Sequence, residues 1–166
     1  TNGDYFGLSV AISGNYAIVG ARDEDDASGT SSGKAYIFNV TTGALVHTLD
    51  NPNPDNTSLN DQFAGAVAMD GNYAIIGAHG EDAGGDGSGK AYIFDVTTGT
   101  LLFTLDNPNA ASTALNDRFG ESVGISGDFA IVGANAEDAV GTGSGTVYIF
   151  SVTTGAFLKT FNDPNA

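Results

Sequence analysis

The strongest constraint on this chain of 166 residues is that it repeats one unit three times. Asp4-Tyr5-Phe6-Gly7 returns as Asp61-Gln62-Phe63-Ala64 and as Asp117-Arg118-Phe119-Gly120, at a spacing of about 56 residues. The agreement continues through each unit: Tyr36-Ile37-Phe38, for example, returns as Tyr92-Ile93-Phe94. We therefore expect a single repeat domain over 1–166, with units at about 4–60, 61–116 and 117–166.

Each unit has the pattern of four β-strands. In the first unit the strands are predicted at about Phe6–Ile12, Tyr16–Ala21, Lys34–Val40 and Ala44–Leu49, because β-branched and aromatic residues fill them. Gly, Asn, Ser and Thr lie between them, and the short connections favour antiparallel hairpins. No window has sustained apolar spacing of three and four residues, so no helix is predicted.

The second strand of each unit indicates how the units associate. Tyr16–Ala21 is apolar without alternation, which is typical of a strand that is covered on both faces. A small sheet of this kind must pack against neighbours, as repeat units and propeller blades do. The predicted fold class is therefore all-β, with three four-stranded antiparallel sheets of the β-propeller blade type, in a partial propeller or an assembly unit.

Composition excludes several classes of protein. Five Lys and Arg against twenty Asp and Glu give a net charge of −15, which argues against binding to nucleic acid or to an anionic membrane surface. The chain has no Cys, so disulfides, thiolate zinc sites and Cys nucleophiles are excluded. Its longest apolar runs are too short for a membrane-spanning helix, so no membrane insertion is expected.

The repeated motifs resemble those of the FG-GAP repeat family. Phe6-Gly7 and Phe119-Gly120 supply the "FG", Val19-Gly20-Ala21 is a shortened "GAP" without Pro, and Gly33–Phe38 looks like the family's closing strand. The resemblance covers essentially the whole chain. It implies an extracellular or cell-surface β-propeller, of the shorter bacterial variety, that acts in adhesion or ligand binding.

The chain departs from the family in one respect. Calcium-binding members have a loop of the form DxDxDG between the first two strands, but here that connection is only Ser13-Gly14-Asn15, Asp70-Gly71-Asn72 or Ser126-Gly127-Asp128. The calcium site of the family therefore does not transfer to this chain.

A different acidic loop, which follows the second strand, is the candidate metal site. Calcium takes six to eight oxygen ligands, which adjacent carboxylates and flexible carbonyl groups can supply. The alternative is structural: these carboxylates accept hydrogen bonds from backbone N–H groups and close the loop. The candidate ligands are Asp23, Glu24, Asp25, Asp26, Glu81, Asp82, Asp86, Glu137 and Asp138.

Other recurrent residues are assigned to architecture. Asp4, Asp61 and Asp117 precede each Phe, and we expect them to bond backbone amides at the strand entrance. Aromatic residues that recur in register are expected to pack between blades. No Ser, His and Asp set stands apart from the repeat, so an enzyme is not expected.

Two asparagines fit the N-glycosylation pattern. Asn39 precedes Val40-Thr41, and Asn56 precedes Thr57-Ser58. Asn56 is the better acceptor, because it lies in the segment Asp50–Asp61, which is rich in Pro and Asn and is expected to be exposed.

These observations leave three functions open. The first is a non-enzymatic extracellular binding or adhesion module, supported by calcium if the acidic loops bind it, with a protein or glycan ligand. The second is a structural subunit of an extracellular filament, whose partners are other copies or further blades of the same chain. The third, a fragment of a propeller hydrolase, needs unique polar residues that the sequence does not show.

Overall fold

A computed structural model describes residues 3–25, 31–53, 60–82, 87–109, 116–138 and 143–165. Within these ranges the regular structure is β-strand throughout, with no helix. No helix in the described residues is long and apolar enough to cross a membrane. The strands are β1 Val10–Ser13, β2 Tyr16–Ala21, β3 Lys34–Asn39, β4 Leu45–Asp50, β5 Ala66–Asp70, β6 Tyr73–Ala78, β7 Lys90–Asp95, β8 Thr100–Asp106, β9 Phe119–Ser126, β10 Phe129–Ala134, β11 Thr146–Ser151 and β12 Phe157–Asn162.

The twelve strands form three antiparallel four-stranded sheets, each made of four consecutive strands. We call β1–β4 the first sheet, β5–β8 the second and β9–β12 the third. The order within each sheet is sequential, so among the described residues no strand is exchanged between sheets. This arrangement confirms the predicted all-β fold with propeller-type blades, and the three sheets do not close into a ring.

Local sequence explains the hairpins. Ser13 pairs with Tyr16 across a two-residue turn, and Gly14 at the first turn position has a φ of 55°, a conformation that glycine adopts without a steric penalty. The turn between β3 and β4 contains Gly43, whose φ is 71°. In every sheet the register of the third and fourth strands shifts at the same place, as between Ile37 and Phe38.

The predicted first strand of the first unit, Phe6–Ile12, is wrong at its beginning. Tyr5 and Gly7 have positive φ values of 52° and 89°, so Phe6 lies in a turn and β1 starts only at Val10. The same backbone conformation recurs at Gln62, with a φ of 55°. Because the turn directs the Phe ring onto the third strand of its own sheet, Phe63 lies 5.8 Å from the ring of Tyr92.

The core lies between the sheets. One cluster joins Ile18, Ile37 and Leu49 of the first sheet to Phe63 and Ile76 of the second unit. A second cluster joins the second sheet to the third in the same way. The second sheet is therefore covered on both faces, as its unalternated apolar strand predicted, whereas the first and third sheets are each covered on the one face that meets the second sheet.

Candidate functional site

The recurrent glutamate after the second strand of each unit is buried between neighbouring units. Glu81 and Glu137 are fully buried, and Glu24 is partly buried. In each unit the hydroxyl of a tyrosine on the third strand donates a hydrogen bond to this carboxylate, as Tyr92 does to Glu81. A buried carboxylate needs such donors, because an unpaired charge in an apolar environment is strongly unfavourable.

Two asparagines from the preceding unit donate hydrogen bonds to the buried carboxylates Glu81 and Asp61 of the second unit. Asn53 Nδ2 donates to Glu81 Oε1 at 2.5 Å, and Asn51 Nδ2 donates to Asp61 Oδ2 at 2.9 Å. The Asn51 side chain also accepts a hydrogen bond from the Asn53 backbone N–H at 3.1 Å, which fixes the turn between them. We call this set of two asparagines and two carboxylates the asparagine clasp.

The third unit repeats the asparagine clasp. Asn109 Nδ2 donates to Glu137 Oε1 at 2.8 Å. Asn107 Nδ2 donates both to Asp117 Oδ2 at 3.0 Å and to Glu137 Oε2 at 3.1 Å. The Tyr148 hydroxyl lies 3.3 Å from the same carboxylate oxygen. The end of one unit is thus tied to the buried carboxylates of the next.

The first unit has the acceptor without the asparagines. The Tyr36 hydroxyl lies 2.7 Å from both carboxylate oxygens of Glu24. Within the described residues, no asparagine side chain donates to Glu24. The first unit therefore carries half of an asparagine clasp.

Burial shifts the pKa values of the clasp residues. It raises the pKa of Glu81 to about 7, although the hydrogen bonds from Tyr92 and Asn53 act in the opposite direction. Burial, followed by the charge of Glu137, raises the pKa of Asp117 to about 6. The pKa of Tyr92 is also raised, first by burial and then by Glu81, so its hydroxyl keeps the proton that it donates. The asparagine clasp therefore combines carboxyl groups of raised pKa with hydrogen bonds that cross the boundary between two units.

The aspartate that follows each glutamate closes its own loop. Asp25 Oδ1 accepts the backbone N–H of Ser31 at 2.9 Å, and Asp82 Oδ1 accepts that of Gly87 at 2.5 Å. Asp138 bonds the backbone N–H of Gly143 in the same way. These contacts match the structural alternative for the acidic loops.

The remaining candidate ligands do not complete a metal site in the described residues. Asp23 lies 3.4 Å from Arg22 Nε, while Asp26 and Asp86 lie outside the described residues. No group of three His, Cys, Asp or Glu side chains in the described part of the chain is placed to hold a metal ion. Calcium binding by these loops stays a prediction.

The two glycosylation candidates differ in what the structure describes. Asn39 ends β3, and its Oδ1 accepts the backbone N–H groups of Thr41 and Thr42 at 3.0 Å each. Asp95 does the same in the second unit, so this side chain has a turn-forming role. Asn56 lies outside the described residues.

The asparagine clasp was missed at the sequence level, although its signal was present. The segment Asp50–Asp61 was expected to be exposed, but Asn51 is 4% exposed and Asp61 is 2% exposed. Asp61 and Asp117 do have an architectural role, and the donors that meet their Oδ2 atoms are side-chain amides of the preceding unit. The useful signal was the recurrence of Asn-Pro-Asn at 51–53 and 107–109.

Comparison with known proteins agrees with this architecture. A family model described as FG-GAP repeat matches residues 1–38, 53–94 and 110–150. Among solved structures, the computationally designed protein Ika8 is similar over 93% of this chain, with a TM-score of 0.57 and 19% sequence identity. This chain covers 36% of the Ika8 chain, and at that identity the likeness concerns the fold alone. No curated protein matches the sequence.

Proposed function

Because this chain belongs to the FG-GAP repeat family, we propose that it is a non-enzymatic binding or adhesion module that works outside a bacterial cell or on its surface. One observation carries this proposal. The recurrent carboxylates of the described residues, such as Glu81 and Asp82, make the same internal hydrogen bonds from unit to unit. These carboxylates therefore stabilise the fold, and we infer that the exposed surfaces of the blades bind the ligand.

The charge of the chain suggests the chemistry of its ligand. With a net charge of −15, the module favours partners that carry positive charge or are neutral and polar, such as a basic protein surface or a glycan. Exposed carboxylates at Asp25 and Asp138 add negative charge at the loop edge of their units. We infer that contact with a basic partner weakens as salt concentration rises, because exposed charges are screened.

Binding to panels of glycans and of extracellular proteins tests the proposal. The immobilised chain is expected to retain a ligand without changing it chemically, and a basic ligand is expected to be released by salt. Turnover of a glycan that one point mutation abolishes would overturn the proposal in favour of a propeller hydrolase. Failure to bind any member of either panel would leave no support for an adhesion role.

A structural subunit of an extracellular filament is the second candidate, and a specific observation favours it. The outermost sheets expose large apolar residues, among them Ile12, Ile131 and Phe161. Exposed apolar surface of this kind marks a site of association. Electron microscopy of the purified protein separates the two functions, since isolated particles contradict the filament and long polymers favour it.

Calcium support of the module is proposed separately and has its own test. A ligand that binds only the folded state raises the Tm, so calcium should raise it and a chelator should lower it at a fixed protein concentration. An unchanged Tm after chelation would remove calcium from the proposal.

A further inference from the structure

The outer face of the third sheet repeats a surface that is buried elsewhere in the chain. Ile131 is 42% exposed, whereas Ile18 and Ile75 at the same register in the first and second sheets are fully buried. Phe161 is 51% exposed, whereas Leu105 at its register is 1% exposed. The third sheet therefore presents the surface with which the first and second sheets cover their neighbours.

The outer face of the first sheet presents the opposite surface. Phe6 is 60% exposed, while Phe63 and Phe119, its counterparts, are fully buried against the preceding sheet. Ile12 is 68% exposed, while Met69 at the same register is 9% exposed. This face has the residues that receive a preceding sheet, and none of the described residues covers them.

A glycine of the third sheet also matches the glycines at the internal boundaries between sheets. At the internal boundaries, a Cβ on Gly20 would lie 2.2 Å from the carbonyl oxygen of Ala64, and one on Gly77 would lie 2.0 Å from that of Gly120. Gly133 occupies the same register, yet a Cβ there would meet only atoms of Ser122, within its own sheet. The third sheet thus keeps the close-approach glycine on a face that the structure leaves open.

The polar groups that join neighbouring units inside the chain also have counterparts at the two outer faces. Phe63 N–H donates to the carbonyl of Ser32 at 3.1 Å, and Phe119 N–H donates to that of Ser88 at 3.1 Å. Glu24 on the first unit lacks asparagine donors among the described residues. Asn165 is exposed, and its backbone N–H donates to Asp163 Oδ1 at 2.8 Å, in the same turn that Asn53 and Asn109 adopt.

We propose that this chain binds a second copy of itself head to tail, with the outer face of the third sheet of one copy packed on the outer face of the first sheet of the next. Asn165 of one copy then donates to Glu24 of the other, as Asn53 and Asn109 donate to Glu81 and Glu137 within the chain. The chain makes this type of contact twice internally, between consecutive sheets. The contact is heterologous, joining two different surfaces, so it generates a closed ring or an open filament according to its rotation. This inference goes beyond the proposed binding function, which a monomer can also perform.

Two variants separate the two faces. Ile131→Asp places a charge on the outer face of the third sheet, and Ile12→Asp does so on the outer face of the first. Because both side chains are exposed in the single chain, each variant is expected to stay folded, which a thermal melt checks. Sedimentation velocity then measures mass against concentration for wild type, for each variant and for their equimolar mixture.

A head-to-tail contact gives a distinctive result. Wild type is expected to grow beyond the 16.8 kDa monomer as concentration rises, whereas each variant alone stays at the monomer mass. The mixture is expected to form a dimer of twice that mass, because each variant retains the face that the other has lost. A two-fold symmetric contact fails this pattern, since one variant alone would still dimerise.

Three outcomes overturn the proposal. They are a monomeric wild type at hundreds of micromolar, self-association of either folded variant to the wild-type extent, and a mixture that remains monomeric. A monomeric wild type that still binds its ligand would remove the head-to-tail contact and leave the proposed binding function intact. The head-to-tail contact and the binding function therefore fail independently, whereas the filament alternative would fail together with the head-to-tail contact.

Discussion

Asn109 Nδ2 donates a 2.8 Å hydrogen bond to Oε1 of Glu137, although the two residues belong to neighbouring units. Asn53 and Glu81 make the same contact one unit earlier. Both glutamates are fully buried, so these bonds reduce the unfavourable free energy of burying a carboxylate between sheets. The asparagine clasp thus couples the stability of one unit to that of the next.

Removing one clasp donor should destabilise the chain. Asn109→Ala leaves Glu137 Oε1 without the donor from the preceding unit, and we expect the free energy of unfolding to fall by about 1–3 kcal/mol. Urea unfolding at low protein concentration measures this change. Asn165→Ala is the matched control, because the Asn165 side chain is exposed and should change stability by less than about 0.5 kcal/mol. Equal losses in the two variants would contradict a role for the clasp.

The close-approach glycines should differ according to whether a neighbouring sheet covers them. Gly77→Ala places a Cβ 2.0 Å from the backbone oxygen of Gly120, so we expect a loss of about 2–3 kcal/mol or more. Gly133→Ala brings its nearest contact to the side-chain oxygen of Ser122, which can rotate away, and should cost less than about 1 kcal/mol. Urea unfolding of the two variants provides the comparison, and a larger loss for Gly133→Ala would contradict the packing between the sheets.

Strands and turns with local causes could be predicted from the sequence. The range Tyr16–Ala21 was predicted and is β2, because β-branched residues and flanking turns determine it locally. The antiparallel hairpins were also predicted from their short connections, and Gly43 in the turn between β3 and β4 has a positive φ. The strands of the second and third units could be predicted from those of the first, since each strand recurs in every unit.

Features that depend on contacts between units were harder to predict. The beginning of the first strand was wrong because Tyr5 adopts a positive φ, a conformation that a tyrosine disfavours and that its residue type does not predict. The asparagine clasp joins residues 28 positions apart, such as Asn53 and Glu81, and hydrophobic periodicity carries no information on such a pair. The hydrophobic pattern of a single unit therefore reveals neither feature.

The raised pKa values make stability depend on pH. Burial raises the pKa of Glu81 from 4.5 to about 7, so between these pH values the folded chain holds a proton that the unfolded chain has released. The free energy of unfolding therefore falls as pH rises through this window, by about 1–3 kcal/mol, and levels off above it. Asp117, whose pKa is about 6, contributes in the same direction at slightly lower pH.

Urea unfolding at pH 5 and pH 8 measures this dependence. Wild type should be more stable at pH 5, and Glu81→Gln should remove much of the difference, because glutamine cannot ionise. The double variant with Asp117→Asn should flatten it further. A Glu81→Gln variant with the wild-type difference between the two pH values would show that another group is responsible.

The third unit differs from the others at one clasp position, and this difference should limit the strength of the head-to-tail contact. Asp163 stands where the first and second units have Asn51 and Asn107. Those asparagines donate to Asp61 and Asp117. A carboxylate at Asp163 has no proton to donate. In the head-to-tail contact it would also lie near Asp4 and Glu24 of the next copy, which carry the same charge. Asp163→Asn replaces this repulsion with a hydrogen bond, so we expect the Kd of self-association to fall at least about tenfold, which corresponds to about 1.4 kcal/mol.

Sedimentation velocity gives the Kd, and Asn165→Ala in the Asp163→Asn background should reverse most of the gain. Since Asp163 is exposed in the single chain, the substitution should leave the unfolding of the monomer unchanged, and an unaltered or weaker association would contradict the pairing of this segment with the first unit.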